Sequence, residues 1–372
     1  MRGHIRSRAK GSWTVVVSLG RDPVTNKKRQ KWTTVKGTKR DAEKRLSELL
    51  RELDTGLPIA DSKETVAEFM NRWLRDHVAR TTRPRTVQFY SMVNRLYIEP
   101  VVGRIRLQKL TPSDVQRVIG EVMDRGLSPS TAQRAYATLH RALECGLKWG
   151  VVHRNVCDAI DAPKEADHEI SPPDKTAVRA LLGKAMQTRH GAAFWLLAYS
   201  GMRRGEVCSV KREHLDLEAG TLKVSSAVGR ENSRLTVTPP KSKTSRRLIH
   251  LDSVTISVLR SHLARQAEHR LSVGPAYQDR GLVFASPTGD LLDPDILTRD
   301  WRRICKGVGV KYRLHDLRHA HVTALIEAGV HVKIIQSRVG HASPGFTLAR
   351  YGHLMPGMDA AAAEAYARAM GD

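Results

Sequence analysis

The sequence predicts a multidomain, mainly α protein: a small N-terminal β-sheet plus helix, a helical unit, and a larger α+β unit. Three observations predict it. The 372 residues suffice for two or three domains, at about 100–200 residues each. Apolar residues recur at helical spacing through most of the chain beyond residue 64, whereas β-branched runs are short. Two linker-like stretches divide the whole, TGLPIADSK at 55–63 and a Pro-containing one from about Asp161 to Ser171. The expected domains are 1–57, 64–160 and 170–372.

In the first domain, the β-branched run Trp13–Leu19 reads as a strand. Asp22–Lys27 carries turn chemistry, and Lys31–Val35 reads as the returning strand. Thr38 is a natural N-cap for a helix through Ala42, Leu46, Leu49 and Leu50. Trp13, Val15, Val17, Trp32 and Val35 are the expected core. In the second domain, Val66, Phe69, Met70, Trp73 and Leu74 make one apolar helix face. Helices follow around Thr86–Tyr97, Pro112–Asp124 (capped by Thr111) and Ser130–Trp149, a four-helix unit. The third domain reads as helices over Lys175–Met186, Ala192–Tyr199, Gly205–Lys211, Val254–Ala267, Pro294–Lys306, His315–Ala328 and His331–Val339. Short strands are expected at Leu222–Val224, Leu235–Thr238, Arg247–His250 and Leu282–Phe284. AAAAEAYARAM, from Ala360 to Met370, reads as a terminal helix with an apolar stripe.

Hydrophobic residues at 41% and charged residues at 27% are ordinary globular values and exclude wholesale disorder. The balance of charge is not ordinary. Lys and Arg number 62 against 38 Asp and Glu, a formal net charge of +24. Such a surplus calls for a polyanionic partner, nucleic acid or an anionic membrane surface. No apolar run reaches the roughly 18 residues of a spanning helix, and the basic N-terminus lacks the apolar stretch of a signal peptide. Cys145, Cys157, Cys208 and Cys305 form no CxxC pair, as expected in a reducing, cytoplasmic setting. Basic residues are densest in 1–40, which hold twelve Lys or Arg and one acid, Asp22. Lys27, Lys28, Arg29 and Lys31 there, with Arg83, Arg85 and Arg134 in the helical domain, are the expected DNA contacts.

Several pieces of the third domain carry chemistry. In Ser200-Gly-Met-Arg-Arg-Gly-Glu206, glycines let the chain turn so that a guanidinium can project to a phosphate and meet two of its oxygens. Alone, this is equally a surface arginine at a helix turn. Pro239-Pro-Lys-Ser-Lys-Thr-Ser-Arg-Arg-Leu-Ile249 reads as a β-hairpin with Lys241 and Lys243 at its tip. Such a lysine can protonate a leaving oxygen, or be merely a solvated basic turn. His315, Arg318 and His319 share one helix face at i, i+3 and i+4, a ready anion site. A metal site at His315, His319 and His321 lacks an HExxH pattern, a carboxylate triad and a cysteine partner. His341 in Val-Gly-His precedes Tyr351 in Tyr-Gly-His, and a lone tyrosine is usually core. Jointly, two arginines, histidines, a lysine and a tyrosine are what metal-free phosphodiester cleavage needs. The arginines offset transition-state charge, histidines move protons, and the tyrosine attacks.

In their order and spacing, SGMRRGE, PKSKTSRR, LHDLRHA, VGHAS and LARYGH resemble the tyrosine recombinase (phage integrase) family. The upstream units resemble, on pattern alone, the family's helical core-binding domain and the arm-binding, three-stranded-sheet domain of larger integrases. The resemblance implies a catalytic set of Arg203, Lys243 (with Lys241 as fallback), His315, Arg318, His341 and the nucleophile Tyr351, with Glu206 structural. Arg204 matches a flanking position, Val339 stands where Leu is common, and Pro344-Gly345 falls in the loop before the tyrosine helix. It further implies cleavage and rejoining through a 3′-phosphotyrosine with no metal and no cofactor, on double-stranded attachment sites, by a homotetramer. Accessory partners would be a directionality factor or a DNA-bending host protein. The rivals are a type IB topoisomerase-like enzyme and a non-catalytic DNA-binding regulator on the same scaffold. The basic N-terminal unit disfavours the first, and the intact catalytic set disfavours the second.

Overall fold

The computed structural model describes residues 3–9, 11–21, 28–54, 63–164, 171–231, 234–239, 246–341, 343–351, 363 and 366–370. It divides into two compact units, Met1–Asp167 and His168–Asp372. The first unit holds two separate apolar cores.

The N-terminal core is a three-stranded antiparallel sheet, β1 (Gly3–Ala9), β2 (Ser12–Arg21) and β3 (Lys28–Lys36), backed by α1 (Lys39–Asp54). Asp41 accepts from the Thr38 amide at 2.8 Å, so the predicted helix start is built by Thr38 and Asp41 together. Val15, Val17, Ala42 and Leu49 are its centre, with Ile5, Trp13, Val35, Leu46 and Leu50 packed around them. Trp32 does not join that core. It pairs in register with Val16, so the two-residue strand period puts it on the opposite face, where it is 58% exposed. Arg6 and Thr14, cross-strand partners, share this outer face with Trp32 and Thr34. Strand β1 escaped the residue-by-residue reading because GHIRSRA has little β-branched content.

The helical core comprises α2 (Val66–Trp73), α3 (Ala79–Thr81), α4 (Pro84–Val93), α5 (Glu99–Val102), α6 (Pro112–Asp124) and α7 (Pro129–Lys148). Single π-helical turns, Leu74–Val78 and Asn94–Ile98, join α2 to α3 and α4 to α5. Capping boxes at Thr65–Glu68 and Thr111–Asp114 start α2 and α6. Phe69, Met70 and Trp73 share one buried apolar cluster with Val115, Val118, Val122, Leu139 and Leu143. Arg83 and Arg85 are exposed at the start of α4, and Arg134 is exposed on α7.

The second unit is α8 (Lys175–Met186), α9 (Gly191–Ser200), α10 (Arg204–Val207), strands β4 (Leu215–Asp216), β5 (Thr221–Val224), β6 (Ala227–Glu231), β7 (Arg234–Thr238) and β8 (Arg247–His250), then α11 (Ser253–Val273), α12 (Pro294–Val308), α13 (Asp316–Glu327), α14 (Val332–Val339) and α15 (Pro344–Tyr351). Phe194 and Trp301, rings 5.4 Å apart, are central to its main core. A smaller cluster joins Val322, Ile326, Ile335, Val339 and Tyr351 from α13, α14 and α15.

Three expectations are corrected here. Leu282–Phe284 is no strand: only Leu282 bridges, to Lys211. The PKSKTSRR segment is not a hairpin, because β7 pairs with β6 while β8 pairs with β5. It connects two sheets, and Lys241 and Lys243 lie outside the described residues. Pro344-Gly345 opens α15 instead of preceding it, as suits a proline whose missing N–H costs nothing at a helix start. The Asp22–Lys27 turn with Lys27, nearly all of 55–63, and the segment 165–170 also lie outside the described residues. Of the expected terminal helix, 363 and 366–370 are helical. No helix among the described residues is long and apolar enough to cross a membrane.

The contrast between the two tryptophans is measurable. Trp301→Ala should cost about 3–5 kcal/mol in equilibrium urea denaturation, and Trp32→Ala under about 0.5 kcal/mol. Equal losses would overturn the packing described.

Candidate active site

Helix α9 ends at Gly201, whose φ of +64° is left-handed. A side chain there is excluded twice, since a Cβ would also lie 2.7 Å from the His321 ring. The turn delivers Arg203 to the N-cap of α10, where its backbone N–H donates to Glu206 at 2.9 Å. The Arg203 guanidinium donates to Glu206 Oε1 at 2.9 Å and to the Gly340 carbonyl at 3.0 Å, and the side chain stays 42% exposed. Arg318, on α13, donates to the Gly201 carbonyl at 2.6 Å and is 3% exposed.

Two arginines at one place repel each other. Burial, and then the charge of Arg203, pull the Arg318 pKa down to about 9. A guanidinium keeps its proton in proteins, so Arg318 is a buried cation beside a second one, and an anion placed here would be favoured. Glu206 partly relieves the repulsion. Its carboxylate stays below the usual range despite burial, because Arg247 and Arg203 hold it. His341, 6% exposed, is pushed down to about 3 by burial and then by Arg318 and Arg203. His315 goes to about 4 for the same reasons, although the residue is exposed, where screening weakens the effect. Both imidazoles are therefore neutral near pH 7, able to donate from one nitrogen and accept at the other.

Tyr351 is 1% exposed, and its hydroxyl shares a hydrogen bond with His319 Nδ1. The His319 ring meets His315 edge-on at 4.9 Å. Arg203, His315, Arg318, His341 and Tyr351 thus converge in one place, while Lys243 lies outside the described residues. The groups gathered here are those that phosphodiester cleavage would use: arginines to offset charge, neutral histidines to move protons, and a phenol.

Two residues of the site were missed by sequence reasoning. His319 was seen to share the His315 face but was not assigned to the site; its i+4 spacing was the signal. Arg247 went unremarked in PKSKTSRR. Its signal was the strand alternation that puts it on the side of buried Ile249, with Leu248 and His250 outward. His321 accepts from Arg338 Nε at 3.2 Å. Among the described residues no group of three or more His, Cys, Asp or Glu side chains is placed to hold a metal.

The phage integrase family matches residues 174–357, and the phage integrase N-terminal SAM-like domain matches 65–123. An integrase of Streptomyces ambofaciens is 30% identical over 346 residues, covering 90% of this chain and 87% of its own. Among solved structures, the Tn1549 transposon integrase in complex with a circular intermediate DNA has a TM-score of 0.70 at 18% identity, covering 82% of this chain and 99% of its own. A lambda integrase tetramer bound to a Holliday junction has a TM-score of 0.59 at 18% identity, covering 91% and 96%.

The His341 shift sets a pH dependence. Its folded pKa, about 3, lies below the unfolded value near 6.5, so the unfolded chain binds more protons between them. The stability that neutral His341 contributes is complete above about pH 6.5 and is lost as pH falls toward 3, at up to about 1.4 kcal/mol per pH unit. The melting temperature of the DNA-free protein should fall between pH 7 and 5, and less steeply in His341→Asn. Parallel profiles would contradict the assignment.

Proposed function

The chain belongs to the phage integrase (tyrosine recombinase) family and is an enzyme of the site-specific recombinase type, and we propose the following chemistry for it. The Tyr351 oxygen attacks the scissile phosphorus, a P–O bond forms as the P–O5′ bond breaks, and the 3′ end is left on the tyrosine. The phenolic proton passes to a neutral histidine of the cluster. Lys243, by family likeness, supplies the proton that the 5′ oxygen takes on leaving. Arg203 and Arg318 offset the charge that grows on the phosphoryl oxygens, with His315 and His341 as hydrogen-bond donors. Rejoining reverses these steps on a partner strand. The energy of the broken bond is kept in the phosphotyrosine, so ATP is not required. The observation that carries the reading is the convergence of Arg203, Arg318, His315 and His341 near the buried Tyr351.

The partner is double-stranded DNA at attachment sites of a mobile element. The outer face of the N-terminal sheet, with Arg6 beside the exposed Trp32, suits a second DNA contact. Lys27, Lys28, Arg29 and Lys31 in that domain, and Arg83, Arg85 and Arg134 in the helical one, supply phosphate attraction that weakens with salt. The lambda integrase was solved as a tetramer on a Holliday junction, and the same assembly is proposed for this chain. A basic N-terminal DNA-binding sheet favours recombination over the topoisomerase-like alternative. The cytoplasm is the proposed setting, as suits an enzyme that acts on DNA.

A nicked suicide duplex carrying the element's core site should trap a covalent protein–DNA adduct in EDTA. Tyr351→Phe should abolish the adduct while still binding that duplex. An adduct that persists in Tyr351→Phe, or that needs magnesium, would sink the assignment.

A further inference from the structure

The site contains a third arginine to which no role has been given. Arg247 opens β8, and its side chain is 5% exposed. It grips Glu206 with two prongs, Nη2 to Oε2 at 2.8 Å and Nη1 to Oε1 at 3.2 Å. The other two donors to that carboxylate are the backbone N–H and the guanidinium of Arg203. Four donors saturate a carboxylate, so Glu206 has no acceptor site left.

Arg247 also supports the opposite wall. Its Nε donates to the Arg338 carbonyl at 2.7 Å, in the last turn of α14. Its guanidinium lies so close beneath Gly340 that a Cβ there would be 3.0 Å from Nη1. The Gly340 carbonyl is the second acceptor for Arg203, and His341 follows it directly. Both groups that aim the Arg203 guanidinium, Glu206 and the Gly340 carbonyl, are therefore placed by Arg247.

Glu206 is a buried anion, and Arg203 alone is a half-exposed counterion for it. An unpaired buried carboxylate is costly, so without Arg247 it would draw the Arg203 guanidinium inward. Resting on the recombinase reading above, we propose that Arg247 is a positioning residue for strand cleavage. By occupying Glu206 and bracing the 338–341 turn, it leaves the outer edge of Arg203 facing the scissile phosphate.

The experiment uses the full-length chain and the nicked suicide duplex, measuring cleavage at saturating DNA, the dissociation constant, and the melting temperature. Arg247→Ala should cleave about 100-fold more slowly, the scale of a misplaced catalytic group, with binding changed less than about threefold. Arg247→Lys, which keeps the charge and guards against a folding failure, should recover no more than about a tenth of the wild-type rate, because an ammonium cannot make the two-pronged contact. A second duplex carries a neutral methylphosphonate at the scissile position, where less charge must be offset. If Arg247 acts through Arg203, the gap between wild type and variant narrows on it to less than about tenfold. A gap of equal size on both duplexes would mean a merely structural role and overturn the proposal. So would Arg247→Ala cleaving within about threefold of wild type, or Arg247→Lys restoring the full rate. Absence of a Tyr351-dependent adduct in the wild type would overturn the recombinase reading and this proposal with it. An adduct with normal cleavage by the Arg247 variants would overturn this proposal alone.

Discussion

One buried carboxylate makes the arginine cluster of the candidate site possible. Glu206 sits 5% exposed between Arg203 and Arg247 and takes hydrogen bonds from both. Three cationic side chains, these two and Arg318, are gathered against mutual repulsion and, for the buried Arg247 and Arg318, against desolvation as well. The carboxylate offsets part of this charge and leaves a net positive remainder. Burial, and then that remainder, depress His315 and His341 and keep them neutral, and the remaining positive charge favours an anionic ligand.

The backbone is shaped around the same imbalance. Gly201 lets α9 stop and offers its carbonyl to Arg318. Gly340 ends α14 and offers its carbonyl to Arg203, while leaving room for Arg247. Two left-handed glycines at helix ends thus act as acceptors for the two arginines proposed to face the phosphate. Neither position tolerates a side chain, for reasons of space as well as of dihedral angle.

Much of this was legible in the sequence, and the exceptions have physical causes. Helices with strong caps and a clear apolar stripe, such as Pro112–Asp124 and Lys175–Met186, lie where periodicity put them. Arg203, His315, Arg318, His341 and Tyr351 were named from short motifs, and the fold brings them together. Trp32 was misassigned because hydrophobicity does not say which face of a strand a residue occupies; only the pairing with Val16 does. The PKSKTSRR segment looked like a hairpin because strand runs flank it, but pairing partners are nonlocal and β8 chose β5. Arg247 and His319 were hidden for a related reason. Their partners, Glu206 and Tyr351, are 41 and 32 residues away in the chain.

Tyr351 is both the proposed nucleophile and, at 1% exposure, part of the packing among Val322, Ile326, Ile335 and Val339. This double employment shapes how the protein can change over generations. Loss of the ring would open a hole under α13 and α14, and selection against unstable chains would remove it. Loss of the oxygen alone would leave the packing in place. A lineage that abandons strand exchange but keeps binding DNA should therefore retain an aromatic ring here, and phenylalanine is the route to inactivity with the least disturbance of the fold.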